Sequence, residues 1–501
     1  MPDQVRHDGV RLFSRQVNIM RMRRANLYRR AKVVATLGPA SSEVEMISEL
    51  IIAGMNVARV NMSHGSPREC AQLISNIRKA SSLVGLEVAI LMDLQGPKIR
   101  VDKLTNGLKL KKGDFWVIGP TDLQKDYPEY KDCFIPTTYK HLTDDCEDGV
   151  RILFDDGLIT AHAVERDRHV YKIKVIVGGI LKSNKGINLP DSRVSAPSLT
   201  EKDLKDLMFG LEHDVDYIAL SFVRKKEDIL MLKGLLQEHN KDIPVVSKIE
   251  NPEALENIEE ILSVTDVVMV ARGDMGVELG NHLVPAAQKK IISLCNNRGI
   301  PVITATQMLE ARIESPVPTR AEASDVANAV WDGTDAAMLS AETASGKYPI
   351  EAVRMMGKII SEAEKTPKER PSLKVMDLTQ VDNATMIGAS IIAEKIDAKR
   401  ILSVTNSGSS CLKMSRFRPQ TSVLGVSHSL SVVRKMCLYW GVSPLYLDEY
   451  DEDNRELEHY VIEKVRSACE LETGDKIVIT RGSGKFFLRG SSNSIKVETI
   501  R

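Results

Sequence analysis

No charge of either sign dominates this sequence: 68 Lys and Arg face 68 Asp and Glu. That excludes a protein that coats nucleic acid or a membrane by bulk electrostatics, though not a local anion site. Cysteine is sparse and scattered, at Cys70, Cys133, Cys146, Cys295, Cys411, Cys437 and Cys469, with no CxxC pair. The spacing excludes a zinc cluster and a disulfide framework and suits a reducing compartment. Long hydrophobic runs are missing too, and none reaches the ~18 residues of a membrane span. The chain is therefore expected to be soluble and cytoplasmic. Tandem repeats and low-complexity tracts are absent. So are the GxxxxGK[ST] phosphate loop and the protein-kinase signatures, which excludes both of those classes.

What is present is ordinary globular composition, 43% hydrophobic and 27% charged, over 501 residues. That length suggests about three domains. Residues 1–30 stand apart, with eight arginines against Asp3 and Asp8. They read as a solvated basic extension, a composition shared with organelle transit peptides. From Ala31 short β-rich runs alternate with amphipathic stretches of helical period, the pattern of a parallel sheet built from βα units. Eight runs are visible, at 32–38, 56–63, 88–94, 217–223, 244–250, 267–272, 301–307 and 336–342. Eight such strands close into a (β/α)8 TIM barrel.

Between the third and fourth runs helical periodicity disappears for more than a hundred residues. Segments 115–119, 151–165 and 171–179 alternate or sit beside Gly and Asp turns. They predict a small inserted β-barrel domain acting as a lid at the barrel's carboxyl-end face. After Pro371 a helical stretch at 382–395 precedes β-rich runs at 400–408, 421–428, 443–448, 476–484 and 495–500. This is read as a C-terminal α/β domain with an open sheet. The expected division is an extension at 1–30, a barrel at 31–97 and 198–365, a lid at 98–197 and a C-terminal domain at 366–501.

Catalytic groups of a (β/α)8 protein sit where strands end, so the polar residues that terminate the runs are the candidates. Alternation in the second run places Arg59, Asn61 and Ser63 on one face. That set suits a grip on phosphate or an oxyanion, and equally a buried arginine paired with a structural carboxylate. The third run ends at Asp93 and continues Leu94-Gln95-Gly96-Pro97-Lys98-Ile99-Arg100, where Gly-Pro stops the strand and charges follow. The fifth ends Lys248-Ile249-Glu250. Burying that cation and carboxylate at a barrel mouth is costly without a ligand or metal, which favours function over a bare ion pair.

The sixth run leads into Arg272-Gly273-Asp274 and Gly276, small residues whose amides open a helix and hold anionic oxygens. Glu250 and Asp274, on adjacent strand ends, can share one Mg²⁺ whose other ligands are water and substrate oxygens. The absence of a Cys or His cluster argues against a soft transition metal. Thr304 and Thr306 supply hydroxyls at the seventh end, and Thr343 beyond the eighth is read as a helix cap. With no Ser-His-Asp arrangement, the inventory suits phosphoryl transfer, which needs positioning and charge neutralisation.

Several blocks resemble a known family: AKVVATLGPAS (31–41), AGMNVARVNMSHG (53–65), MDLQGPKIR (92–100), SKIEN (247–251), MVARGDMGVELG (269–280) and the long stretch 304–349. From about Ala31 to its end the chain is similar to pyruvate kinase. The resemblance implies transfer of the phosphoryl group of phosphoenolpyruvate to ADP, giving pyruvate and ATP in the last step of glycolysis. It also implies a lidded barrel, a regulatory C-terminal domain, a homotetramer and Mg²⁺ (or Mn²⁺) as cofactor. At matched positions Glu250 and Asp274 resemble the metal ligands, Lys248 the group that stabilises the phosphoryl in flight, and Arg59 the phosphate grip. The Gly273 and Asp274 amides with Thr306 match the cradle for the substrate carboxylate, Thr306 also lying near the proton path to the enolate. Asn61, His64, Arg100 and Lys185 match nucleotide or phosphate contacts.

One departure bears on cofactors. Potassium-dependent members typically carry Thr-Lys-Gly-Pro-Glu where this chain has Leu94-Gln95-Gly96-Pro97-Lys98. The monovalent ion would sit near Asn61, Ser63, Asp93 and the Leu94 carbonyl. Lys98 brings an ammonium in place of a carboxylate, so K⁺ is expected not to be required. In the C-terminal domain, Thr405-Asn406-Ser407-Gly408-Ser409-Ser410 offers hydroxyls and amides to an anion. It resembles the family's sugar-phosphate effector loop but contains no basic residue, and 481–487 differs from the family's activator loops. An anionic effector and a loop that merely turns into a helix are both open readings.

Overall fold

The computed structural model describes residues 29–366, 379–448, 457–482 and 492–501. Of the basic extension, only Arg29 and Arg30 fall within them. Eight parallel strands close on one another in chain order: β1 (Lys32–Thr36), β2 (Val57–Asn61), β3 (Ala89–Asp93), β4 (Tyr217–Leu220), β5 (Val245–Ile249), β6 (Val267–Ala271), β7 (Val302–Ala305) and β8 (Ala336–Leu339). β8 pairs with β1 from Lys32↔Ala336 to Ala35↔Leu339, which seals the barrel. Each strand stops one to three residues before its apolar run does. The overshoot is where the chain leaves the ladder and turns its polar residues to the barrel mouth. Ser63, Glu250 and Thr306 therefore lie in loops, and Ser63 is not part of a β2 face.

Connecting helices begin at reciprocal caps, Ser66 with Glu69, Thr200 with Asp203 and Thr319 with Glu322. Each satisfies amides that the first helical turn leaves unpaired. One apolar layer, including Ile47, Leu50, Ile90 and Ile218, lies between strands and helices. A second fills the barrel with Leu91, Val246, Met269, Ile303 and Met338. It continues through Tyr217 into Met386, Ile401, Cys411, Met436 and Val442 of the C-terminal domain. Exposing half a dozen such side chains would cost on the order of 10 kcal/mol, as much as a whole domain's stability. Barrel and C-terminal domain are thus one packed body.

Between β3 and the helix Glu201–Glu212 that leads into β4, the segment is mainly β with short helical turns such as Leu142–Asp145, and has a core around Ile118, Phe154 and Ile173. Its strands form a six-stranded mixed sheet and a separate two-stranded ribbon, Leu108–Leu110 with Gly179–Leu181, rather than one closed ladder. The C-terminal sheet runs in the order Val442–Tyr446, Val423–Ser427, Arg400–Val404, Lys476–Gly482 and Ser492–Thr499, the last strand antiparallel. Among the described residues no helix is long and apolar enough to cross a membrane.

Candidate active site

The carboxyl ends of β2, β3, β5 and β6 bring five charged side chains together. Lys248 lies on β5 with its Nζ 3.0 Å from Glu250 Oε1 and 3.4 Å from Asp93 Oδ1. It also donates to Ser221 Oγ at 2.8 Å. Arg59, from β2, donates through Nε to Asp93 Oδ2 at 2.7 Å, with Nη2 equally close, and through Nη1 to Thr36 Oγ1 at 2.9 Å. The side chains of Glu250 and Asp93 are 0% and 2% exposed. Burial works against the Lys248 charge, but the carboxylates of Asp93 and Glu250 outweigh it and hold the ammonium well above the ordinary lysine range. Burial likewise opposes an ionised Asp93, yet Lys248 and Arg59 together keep it below the usual carboxylate range. Glu250 goes the other way: burial pushes it up to about 7 despite Lys248, and Asp274 adds to the rise.

β5 and β6 are neighbours, paired through Lys248↔Met269 and Ile249↔Val270, which is what brings Glu250 and Asp274 to one side of the mouth. Glu250 Oε2 accepts the Phe222 N–H at 2.7 Å. Its Oε1 is buried and, although at ion-pair distance from Lys248, receives no hydrogen bond of proper geometry. A carboxylate oxygen left in that state beside a second carboxylate fits a hard divalent cation. Among the described residues no group of three or more His, Cys, Asp or Glu could hold a metal.

After β6 the helix Arg272–Leu279 begins at once, with no side-chain cap from Asp274. The Gly273 N–H donates to Thr306 Oγ1 at 2.8 Å, and that hydroxyl donates in turn to the Ala305 carbonyl at 2.7 Å. Thr306 and Gln307 have φ of 68° and 53°, a conformation that is uncommon for a β-branched residue. A brace that the sequence reading missed holds it. Arg272 donates to the Ala305 and Thr306 carbonyls at 3.2 and 2.7 Å and is anchored on Asp325 at 2.8 Å. Thr343 is no cap: it lies within the short helix Ala341–Ala344, and its hydroxyl donates to the Thr36 carbonyl at 2.8 Å, tying β1 to that helix after β8.

Candidate nucleotide groups come from both sides of the cleft. Asn61 and His64 stand at the end of β2, Asn61 Oδ1 accepting the Ser63 N–H at 3.1 Å and His64 exposed. Arg100 and Lys185 sit on the inserted domain. Arg100 donates to the Asn184 carbonyl at 3.0 Å, and Lys185 Nζ lies 2.8 Å from Asp155. Lys98 reaches across the seam, its Nζ 3.8 Å from both Asp274 Oδ1 and Asp156 Oδ1. Oxygens expected near a monovalent ion are already used: Asp93 by two cations, the Leu94 carbonyl by Ser221 Oγ at 2.7 Å and Asn61 by Ser63. Ser221 was detectable as the polar residue interrupting the fourth apolar run. Gly96, with φ of 69°, allows the chain to leave β3 here, since a Cβ on it would lie 2.9 Å from that of Ser221.

In the C-terminal domain the 405–410 loop is largely self-satisfied. Thr405 Oγ1 accepts the Gly408 N–H at 2.9 Å, and the Ser407 and Ser409 hydroxyls are 3.2 Å apart and exposed. Ser410 meets Ser492 at 2.5 Å. Most of the 481–487 segment lies outside the described residues.

Comparison with known proteins gives concordant matches. A family model described as "Pyruvate kinase, barrel domain" matches residues 28–353, and one described as "Pyruvate kinase, alpha/beta domain" matches 383–498. The chain is 44% identical over 490 residues to "Pyruvate kinase 2" of Synechocystis sp., spanning 96% of this chain and 81% of that protein. It is 41% identical over 482 residues to "Pyruvate kinase" of Staphylococcus saprophyticus, spanning 94% and 80%. To "Pyruvate kinase" of Geobacillus stearothermophilus it is 42% identical over 481 residues, with the same shares of 94% and 80%.

Proposed function

The chain belongs to the pyruvate kinase family, and from that premise we propose how its own residues transfer the phosphoryl group of phosphoenolpyruvate to ADP, giving pyruvate and ATP. The observation that carries the reading is the buried contact of Lys248 with Asp93 and Glu250 at the barrel mouth. Arg59 grips the phosphate: Asp93 fixes one edge of its guanidinium, and each terminal nitrogen keeps a second N–H. Lys248 stays charged and meets the equatorial oxygens as the bond from phosphorus to the enol oxygen breaks and a β-phosphate oxygen of ADP bonds to phosphorus. The Gly273 and Asp274 amides hold the substrate carboxylate, Gly273 exchanging its bond to Thr306 for one to the ligand. Thr306 then lies on the proton path to the methylene carbon of the enolate.

The family depends on a divalent cation, here assigned as Mg²⁺ or Mn²⁺, with Glu250 and Asp274 as its protein ligands. When bound, it neutralises charge on the phosphate oxygens. Asn61 and His64 from the barrel, with Arg100 and Lys185 from the lid, receive the nucleotide. The Lys98 ammonium beside Asp274 stands in for a monovalent cation, so K⁺ is not required. The lid is bounded at residues 97–98 and 197–198. The enzyme is assigned as a cytoplasmic homotetramer, with the 405–410 loop as the seat of an anionic or sugar-phosphate effector.

A lactate dehydrogenase-coupled assay with phosphoenolpyruvate, ADP and Mg²⁺ tests the core of this reading. Replacing Lys248 by Met is expected to lower kcat by about a thousandfold or more, the scale of a lost transition-state charge contact. An unchanged rate would contradict the role given to Lys248.

A further inference from the structure

The lid is joined to the barrel by two chain crossings, and on the returning one the last lid strand, Ile187–Asn188, passes beside the helix Arg272–Leu279. There Asn188 Nδ2 donates to Glu278 Oε1 at 2.7 Å. Close by, Arg224 of the barrel donates to the carbonyls of Val194 and Ala196 on the same crossing. The seam is otherwise loosely filled: a cavity of about 220 Å³ opens between Asn188, Glu278, Arg224 and Phe222. The polar ties of Asn188 and Arg224 are direct bonds between lid and barrel at the edge of this opening.

We infer that Glu278 is a positioning residue for the reaction: through Asn188 it latches the lid to the helix that carries Gly273 and Asp274. Glu278 is one helical turn beyond Asp274, on the same face. The latch therefore registers the lid against the proposed carboxylate cradle and metal ligand rather than against a remote part of the barrel. The neighbouring Val277 faces the lid as well, since a Cβ on Gly157 would touch it. The other charged groups around Glu278 are Asp274 on its own helix and, on the lid, Arg151 and Asp191. Arg151 is already bidentate on Asp191, at 2.9 and 2.8 Å, and is not a dedicated partner for Glu278. Burial raises the Glu278 carboxyl to about 7, with Asn188 and Arg151 pulling the other way.

The inference rests on the reading above in one respect: Arg100 and Lys185, carried by the lid, are taken as nucleotide contacts. Opening the latch should then weaken ADP and spare phosphoenolpyruvate, whose groups belong to the barrel. The test is a reversal of the hydrogen bond in the full-length enzyme. Assayed at about pH 8.5, above the raised value of Glu278, Asn188→Asp sets two carboxylates against each other, and Asn188→Asp combined with Glu278→Gln restores a donor and an acceptor in swapped positions. The single variant is expected to raise the KM for ADP about tenfold with the KM for phosphoenolpyruvate within about twofold, and the double variant to recover most of the loss. Amide hydrogen exchange over residues 190–198 of the ligand-free protein should quicken in the single variant and slow again in the double. Melting temperatures identify any variant that fails to fold, and Glu278→Gln, which keeps an acceptor, provides a folded control. Unchanged hinge exchange in Asn188→Asp, or a folded double variant that recovers nothing, overturns the latch. Quickened exchange with an unchanged ADP KM upholds the latch and overturns the nucleotide roles of Arg100 and Lys185.

Discussion

Taking Lys248 out of the barrel mouth leaves Asp93 and Glu250 buried with Arg59 as the near cation. Breaking a buried ion pair from one side typically costs about 3–5 kcal/mol, because the surviving charge is stranded. Lys248→Met should therefore lower the melting temperature as well as the rate, and a variant that lost activity at full stability would argue against the contacts described. Glu250 allows a test that does not pass through turnover. A ligand that binds only the folded state at about a hundred times its Kd adds about 2.7 kcal/mol of stability. Adding Mg²⁺ to chelator-treated wild type is expected to raise its melting temperature, and Glu250→Gln should abolish the rise. An equal rise in the variant would place the divalent ion elsewhere.

Strand ends are where the candidate site was legible and also where the element boundaries were least exact. All eight barrel strands follow from apolar periodicity, because parallel strands buried on both faces read as continuous hydrophobic runs. Lys248, Glu250 and Asp274 stand out as charges at their ends. The partnerships do not. Arg59 and Asp93 are 34 residues apart, and Asn188 and Glu278 are 90 apart. Only the closed barrel and the folded-back lid bring them together. The lid's strand order was equally hidden, with Phe115–Pro120 lying between Val170–Val177 and Phe134–Thr137, since β-pairing depends on neighbours more than on local sequence. The crossing after β3 carries its own prediction. Lys98, 3.8 Å from Asp274 and Asp156, puts an ammonium at the barrel mouth, where the family resemblance implies a carboxylate in potassium-dependent members. Wild type should turn over fully with tetramethylammonium as the monovalent cation, and Lys98→Glu should become dependent on K⁺. A saturable K⁺ requirement in wild type would refute the substitution of lysine for the ion.

At the scale of the whole molecule, the barrel's amino end is plugged by the C-terminal domain, and a charge is trapped in the joint. Lys32, at the start of β1, is 3% exposed and donates through Nζ to the Val442 carbonyl at 2.7 Å. Burial first, and then the nearby Arg29, lower its pKa to about 8, with Cys437 and Glu364 offsetting part of the fall. In the unfolded chain a lysine titrates near 10.4. Between those two values the unfolded state holds more protons than the folded one, so the contribution of Lys32 to stability rises with pH across the window. Integrated over the shift, this is on the order of 3 kcal/mol. Below pH 8 the folded protein carries the full burden of a buried ammonium, and by about pH 10.5 the burden is gone from both states. Lys32→Met removes it at every pH, at the constant loss of the bond to Val442. Relative to wild type the variant should therefore be favoured most at pH 7.5, and that advantage should shrink or reverse by pH 10, as read by paired denaturant titrations. The buried tyrosines and cysteines of the same joint titrate in both proteins and cancel in the difference. A stability difference that stays flat from pH 7.5 to 10 would mean that the ammonium is not confined at the junction, and that barrel and C-terminal domain meet less tightly than their shared core requires.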